Sequence, residues 1–170
     1  AALQAPQDVL RLPAPQLDLT LRLMRRVRLL GRLAEAIDQA GLMDQLPAVA
    51  ADQLASAAVV AAERARVARW ELDRLAWALS DLPDVPLVAL KGCAYLLAGT
   101  PNVAGRAFGD VDLLVPEADL SEVERALTAR GWRATELTPY DDRYYRAWAH
   151  ELPPLRHVER GVEVDLHHGI

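Results

Sequence analysis

Cysteine and lysine are almost missing from this chain. The single Cys93 excludes an intramolecular disulfide framework and fits a reducing compartment. Long hydrophobic runs are missing as well: the longest, Ala55 to Ala62 with Ser56 within it, falls far short of the roughly 20 residues that cross a bilayer. No basic segment leads into an apolar one near the start of the sequence. The expectation is a cytoplasmic protein without a membrane association. An excess of positive charge is also lacking, since 19 Lys plus Arg face 24 Asp plus Glu for a formal charge of −5. That balance argues against a nonspecific nucleic-acid binder, and nucleic acid is not indicated as a partner. Of the 19 basic residues 18 are arginine, and the only lysine is Lys91.

What is present divides into two parts. From Leu17 to Ala40 the apolar positions Leu23, Val27, Leu30, Ala34 and Ile37 recur at steps of three and four, which predicts one long helix ended by Gly41 and the Leu46-Pro47 step. Arg22, Arg25, Arg26, Arg28 and Arg32 fall mostly off that face. A solvated helix face is the plain reading of these arginines, and contact with phosphates or an acidic partner is the other. A second helix is predicted over about Asp52 to Leu82, with Ala65, Ala68, Leu72, Leu75, Leu79 and Leu82 on its apolar stripe. The breaker cluster Asp81 to Pro86 then marks a boundary, giving a helical N-terminal region over 1–84 and a second region over 85–170. The first holds 10 basic and 11 acidic residues and the second 9 and 13, so the acidity lies in the second.

That second region reads as strand (Val85 to Leu90), helix (Gly92 to Ala98), strand (Gly109 to Val115), helix (Ala118 to Arg130) and strand (Trp132 to Leu137). Two further strands follow, His150 to Val158 and Val162 to His167. The fold class is therefore α+β: an N-terminal helical hairpin followed by a small mixed sheet with helices on one face.

In Gly109-Asp110-Val111-Asp112-Leu113-Leu114-Val115, strand alternation puts Asp110 and Asp112 on one face and the apolar side chains on the other. Two carboxylates about 7 Å apart repel each other unless a cation or solvent compensates. Mg²⁺ favours such hard oxygen ligands. Val162 to His167 alternates in the same way, with Glu163, Asp165 and His167 opposite Val162, Val164 and Leu166. If that strand pairs beside the first, Asp165 completes a three-carboxylate cluster, which can hold two divalent ions about 4 Å apart for phosphoryl transfer. His167 shares the face of Asp165 and is expected to orient it. Leu90-Lys91-Gly92-Cys93 lies at a strand-to-helix junction, where glycine permits close backbone approach and the helix start offers N–H groups to a phosphate. Arg106, in the loop before the acidic strand, adds a second positive group for a triphosphate.

Other chemistries fit less well. A dehalogenase-type Asp-x-Asp would follow a hydrophobic strand, whereas here Ala104 to Phe108 precedes the motif. The spacing of His150, His157, His167, His168 and Cys93 matches no compact zinc pattern. His150 is either a cleft residue or an ordinary strand residue. The tyrosines of Tyr140 to Tyr145 read as packed on the core beside a solvated loop, with stacking on a base as the alternative.

Taken together, Leu90-Lys91-Gly92, Arg106, the Gly109–Val115 strand and Val164-Asp165-Leu166-His167 resemble the DNA polymerase β-like nucleotidyltransferase superfamily. More narrowly they resemble a bacterial family of uncharacterised nucleotidyltransferases. The resemblance implies a transfer of a nucleoside monophosphate from an NTP to a hydroxyl acceptor, with release of pyrophosphate and two Mg²⁺ (or Mn²⁺) ions as cofactors. It implies that Asp110 and Asp112 bind both metals. Asp165 would bind the catalytic metal and help activate the acceptor, while Lys91, Gly92, Cys93 and Arg106 hold the nucleotide. The usual Gly-Ser pair is Gly92-Cys93 here, and His168 stands where an aromatic often follows Asp-Leu-His. Family members generally continue with a helical region beyond the third carboxylate, so a core without its C-terminal region and a stand-alone minimal domain are both open. A catalytically silent binding module, meeting a protein partner through the N-terminal helices, is the alternative to an enzyme.

Overall fold

A computed structural model of the chain describes residues 3–134, 138 and 152–168. Its elements are α1 (Ala14–Arg26), α2 (Leu30–Gln39), α3 (Ala48–Ala78), β1 (Val88–Ala89), α4 (Lys91–Ala98), β2 (Val111–Leu114), α5 (Leu120–Ala129), β3 (Trp132–Ala134), β4 (Leu155–His157) and β5 (Glu163–His167). Short 3-10 turns join several of them. The described residues form two compact units, one of 1–66 with Thr100–Phe108 and one of 67–99 with 109–170. Among them no helix is long and apolar enough to cross a membrane.

The first unit corrects the expectation of a single helix over Leu17 to Ala40. The chain breaks after Arg26, where Arg28 takes a left-handed conformation with φ 59° and the Leu29 N–H bonds back to the Met24 carbonyl. This is the hydrogen-bond pattern that usually closes a helix on glycine. No glycine stands there to signal the stop, and the three-and-four rhythm carries on through the break in the sequence alone. The predicted apolar face fails with it: Leu23 and Val27 are exposed, whereas α1 buries Leu17 and Leu21. Beyond the break, Leu30, Leu33, Ala34 and Ile37 pack with Val9, Leu46, Ala50 and Leu54 into one core. The stop at Gly41 is as predicted, with φ 65° and the Leu42 N–H on the Ile37 carbonyl.

The predicted stripe of the second long helix is largely buried, with Ala68, Leu72, Leu75 and Leu79 all in the core. In the second unit the sheet order is β1-β2-β5-β4-β3. β2 and β5 are parallel and the other neighbouring pairs antiparallel, so the sheet is mixed and the fold α+β as expected. The first predicted strand shrinks to two residues, consistent with Pro86 lacking the N–H a ladder needs. Val111, Leu113, Val115, Val164 and Leu166 fill the core beneath the sheet. Trp132 is buried edge-on against His157, with ring centroids 4.7 Å apart. Beside them Glu71 of α3, only 2% exposed, accepts a hydrogen bond from Arg160 Nε at 2.8 Å. Residues 135–137, the tyrosines of 140–145, and His150 lie outside the described residues.

Candidate active site

The site rests on the register of two strands. β2 and β5 pair in parallel with Asp112 directly beside Asp165 and Leu114 beside His167. Because side chains alternate along each strand, this register sends Asp112 and Asp165 to the same face while Val164 and Leu166 enter the core. Asp110 precedes β2 by one residue and joins them. Ligand oxygens of Asp110, Asp112 and Asp165 all lie within 4.8 Å of one another, and Asp110 is exposed, Asp165 partly exposed and Asp112 buried. The condition set by the sequence, that the two acidic strands be neighbours, is met.

Three acids this close repel one another, and the partners of Asp112 show how the fold answers that. Lys91 Nζ lies 2.6 Å from Asp112 Oδ1, and His167 Nε2 lies 3.1 Å from the same oxygen. The hydrogen bond to Asp112 raises the Lys91 pKa above its ordinary 10.5, with further support from the charges of Asp112, Asp165 and Asp110 and some opposition from desolvation. Lys91 thus carries its charge throughout the neutral range. Its side chain is 60% exposed, so only the acid half of the pair is buried.

Lys91 is placed by β1 and α4. The Leu90 N–H bonds to the Asp112 carbonyl at 2.9 Å, which extends the β1–β2 pairing by one residue and sets the next side chain beside the acidic strand. Lys91 itself has φ 47°, an uncommon backbone conformation for a residue with a Cβ. The first N–H groups of an α-helix have no intrahelical acceptor, and in α4 these belong to Lys91, Gly92 and Cys93. The Cys93 side chain is buried and its thiol points to the Asp110 carbonyl at 3.7 Å. It ties the start of α4 to the acidic strand.

Among the anticipated residues, the structure gathers Asp110, Asp112, Asp165, Lys91 and His167 and places Gly92 and Cys93 in the adjoining helical turn. Arg106 belongs to the Thr100–Phe108 segment of the first unit, where its N–H bonds to the Val103 carbonyl. Two contacts were not foreseen. Lys91 engages a carboxylate, where the sequence suggested a phosphate, and the histidine expected to steer Asp165 meets Asp112. The strand alternation that put His167 on the acidic face carried a signal for the second contact. The first needed the Leu90–Asp112 register, which no local pattern encodes.

The hard oxygen donors of Asp110, Asp112 and Asp165, one of them buried, suit a divalent cation, which would compete with the Lys91 ammonium for Asp112 Oδ1. No curated protein and no solved structure matches the chain. The family model described as uncharacterised nucleotidyltransferase matches residues 13–170, which takes in the strands and turns just described. The chain therefore belongs to that nucleotidyltransferase family.

Proposed function

We propose that residues 85–170 carry a metal-dependent nucleotidyl transfer of the DNA polymerase β-like type. The observation that carries the reading is the in-register pairing of Asp112 with Asp165, with Asp110 close by. In this reaction an acceptor hydroxyl attacks the α-phosphorus of an NTP. The bond from the α-phosphorus to the bridging oxygen breaks, and pyrophosphate leaves with that oxygen. Two Mg²⁺ (or Mn²⁺) ions held by Asp110, Asp112 and Asp165 would supply charge neutralisation at the attacking and leaving oxygens.

The chain's own groups have separate tasks. Asp165, partly exposed, would help activate the acceptor oxygen by taking its proton. The N–H groups of Gly92 and Cys93 hold the terminal phosphates, and the backbone does this without the serine hydroxyl that Cys93 replaces. Lys91 adds charge to the triphosphate. For Lys91 this entails an exchange, in which the exposed ammonium leaves Asp112 Oδ1 for a phosphate oxygen. His167 stays on Asp112 and keeps that carboxylate in position. Positioning and electrostatics of this kind are the main contributions a protein makes to phosphoryl transfer.

Thermal unfolding in EDTA, in Mg²⁺ or Mn²⁺, and in metal with each NTP tests the site. The melting temperature rises with metal, rises further with NTP, and stays unmoved by either in Asp112→Asn and Asp165→Asn. A parent protein unmoved by metal and by metal plus NTP would overturn the reading. Label transfer from an α-phosphate-labelled NTP to sugars, aminoglycosides, proteins or RNA then identifies the acceptor.

A further inference from the structure

The arginines of the first unit differ in what they do. Arg22 pairs with Asp18, and Arg32 donates to the carbonyl oxygens of Asn102 and Ala104, so both serve the fold. Arg25, Arg28 and Arg64 instead line a cleft of about 410 Å³ whose walls belong entirely to this unit. No carboxylate lines the cleft. Among the described residues Arg25 donates to Gln53 Oε1 at 2.9 Å and Arg64 to the Phe108 carbonyl at 3.5 Å, both neutral acceptors, and no ion pair is formed by either or by Arg28.

The rest of the cleft is uncharged: Gln53 and Ser56 are polar, and the other side chains are apolar. Ala57, Val60 and Ala61 present one face of α3, and Val60 is 54% exposed there. Its end is fixed by contact of two backbones: a Cβ on Gly31 would fall 2.5 Å from the Gly105 carbonyl oxygen, and Gly105 has φ 68°. The Thr100–Phe108 segment is thereby pressed on the first turn of α2. Arg28 is held by the left-handed turn between α1 and α2, a conformation that costs a residue with a Cβ on the order of 1 kcal/mol.

Three uncompensated guanidinium groups around neutral walls favour an anion of more than one charge. A phosphate monoester is such an anion, and arginine forks bind phosphate oxygens in pairs. A cavity of several hundred cubic ångströms accommodates a small molecule, and its apolar side gives a non-phosphate portion a surface to pack on. We propose that this cleft binds a small phosphate monoester, with the phosphate on Arg25, Arg28 and Arg64 and an apolar or ring-bearing remainder on Ala57, Val60 and Ala61. The assignment is independent of the carboxylate site.

Phenyl phosphate is the probe, titrated into the full chain in EDTA without nucleotide and followed by amide chemical shifts. Shifts centred on Ala57, Ala61 and Gly105 are expected, with weaker binding of inorganic phosphate and of benzoate. Arg28→Gly suits the left-handed backbone, so it removes a cation without disturbing the turn. That variant and Arg64→Gln should each weaken binding by about tenfold or more, as loss of a charge-assisted contact does, while Arg66→Gln, outside the cleft, does not. No shift up to about 20 mM probe, well above the range of a specific small-molecule site, would overturn the proposal. So would unaltered affinity in both cleft variants, or benzoate binding as tightly as phenyl phosphate. A short oligonucleotide that displaces the probe at a lower concentration would also overturn it, by assigning the cleft to a polymer backbone. Because metal and NTP are excluded, failure here leaves the nucleotidyl-transfer reading untouched, and failure of that reading leaves this one.

Discussion

Asp112 keeps its carboxylate nearly out of water while Lys91 and His167 meet one of its oxygens. A divalent ion must share or take that oxygen from the lysine. Lys91→Met is therefore expected to bind Mn²⁺ more tightly than the parent in the absence of nucleotide, and to show a smaller added stabilisation when NTP follows. Calorimetric titration of Mn²⁺ with and without NTP checks both parts. The linkage to pH follows from the sign of the shift. A lysine whose folded pKa is raised contributes stability that is fully present below its unfolded value of 10.5 and is lost as pH rises through the higher folded value. The difference in melting temperature between parent and Lys91→Met, measured in EDTA, should accordingly be flat from about pH 7 to 9 and shrink only in the alkaline lysine range. Asp165→Asn removes like charge from the cluster, so in EDTA it should unfold at the same or a higher temperature than the parent while losing the metal response, a stability and activity trade-off typical of such sites.

At the scale of elements, the clearest local signals were alternation and breakers. Asp110, Asp112 and Asp165 could be placed on one side of their strands from the apolar residues between them, and Gly41 from its conformational freedom. The α1–α2 break was hidden because arginine occupies a position where glycine normally marks the stop. Arg28→Gly should therefore leave stability unchanged or raise it by up to about 1 kcal/mol, as relief of a left-handed residue allows, which chemical denaturation would read. A different element depends on burial. Arg160, in the turn between β4 and β5, neutralises Glu71 of α3. Arg160→Met should cost about 3–5 kcal/mol, the usual penalty for leaving a buried charge without its partner. The double variant Glu71→Leu with Arg160→Met should recover most of that loss. This pair was illegible in the sequence, since Glu71 sits eighty-nine positions from Arg160 and carries no local mark of burial.

For the whole molecule, the acidic balance of the 85–170 region now has a location, since three of its carboxylates gather at the pairing of β2 with β5. The lone lysine lies at the same place. The sequence could not decide whether those strands were neighbours, because pairing between distant segments is a property of tertiary packing. Asp112 and Asp165 stand fifty-three positions apart and meet across parallel strands, the kind of pairing that cannot form through a tight turn. Any ion they share is consequently a clasp on a long loop of chain. Closing such a loop is slow and entropically costly, so the clasp should exist only once the sheet is assembled. Metal would then act as a thermodynamic ratchet, binding the folded chain and not the unfolded one, and contributing about 2.7 kcal/mol when present at a hundred times its dissociation constant. It should slow unfolding and leave the refolding rate almost unaltered.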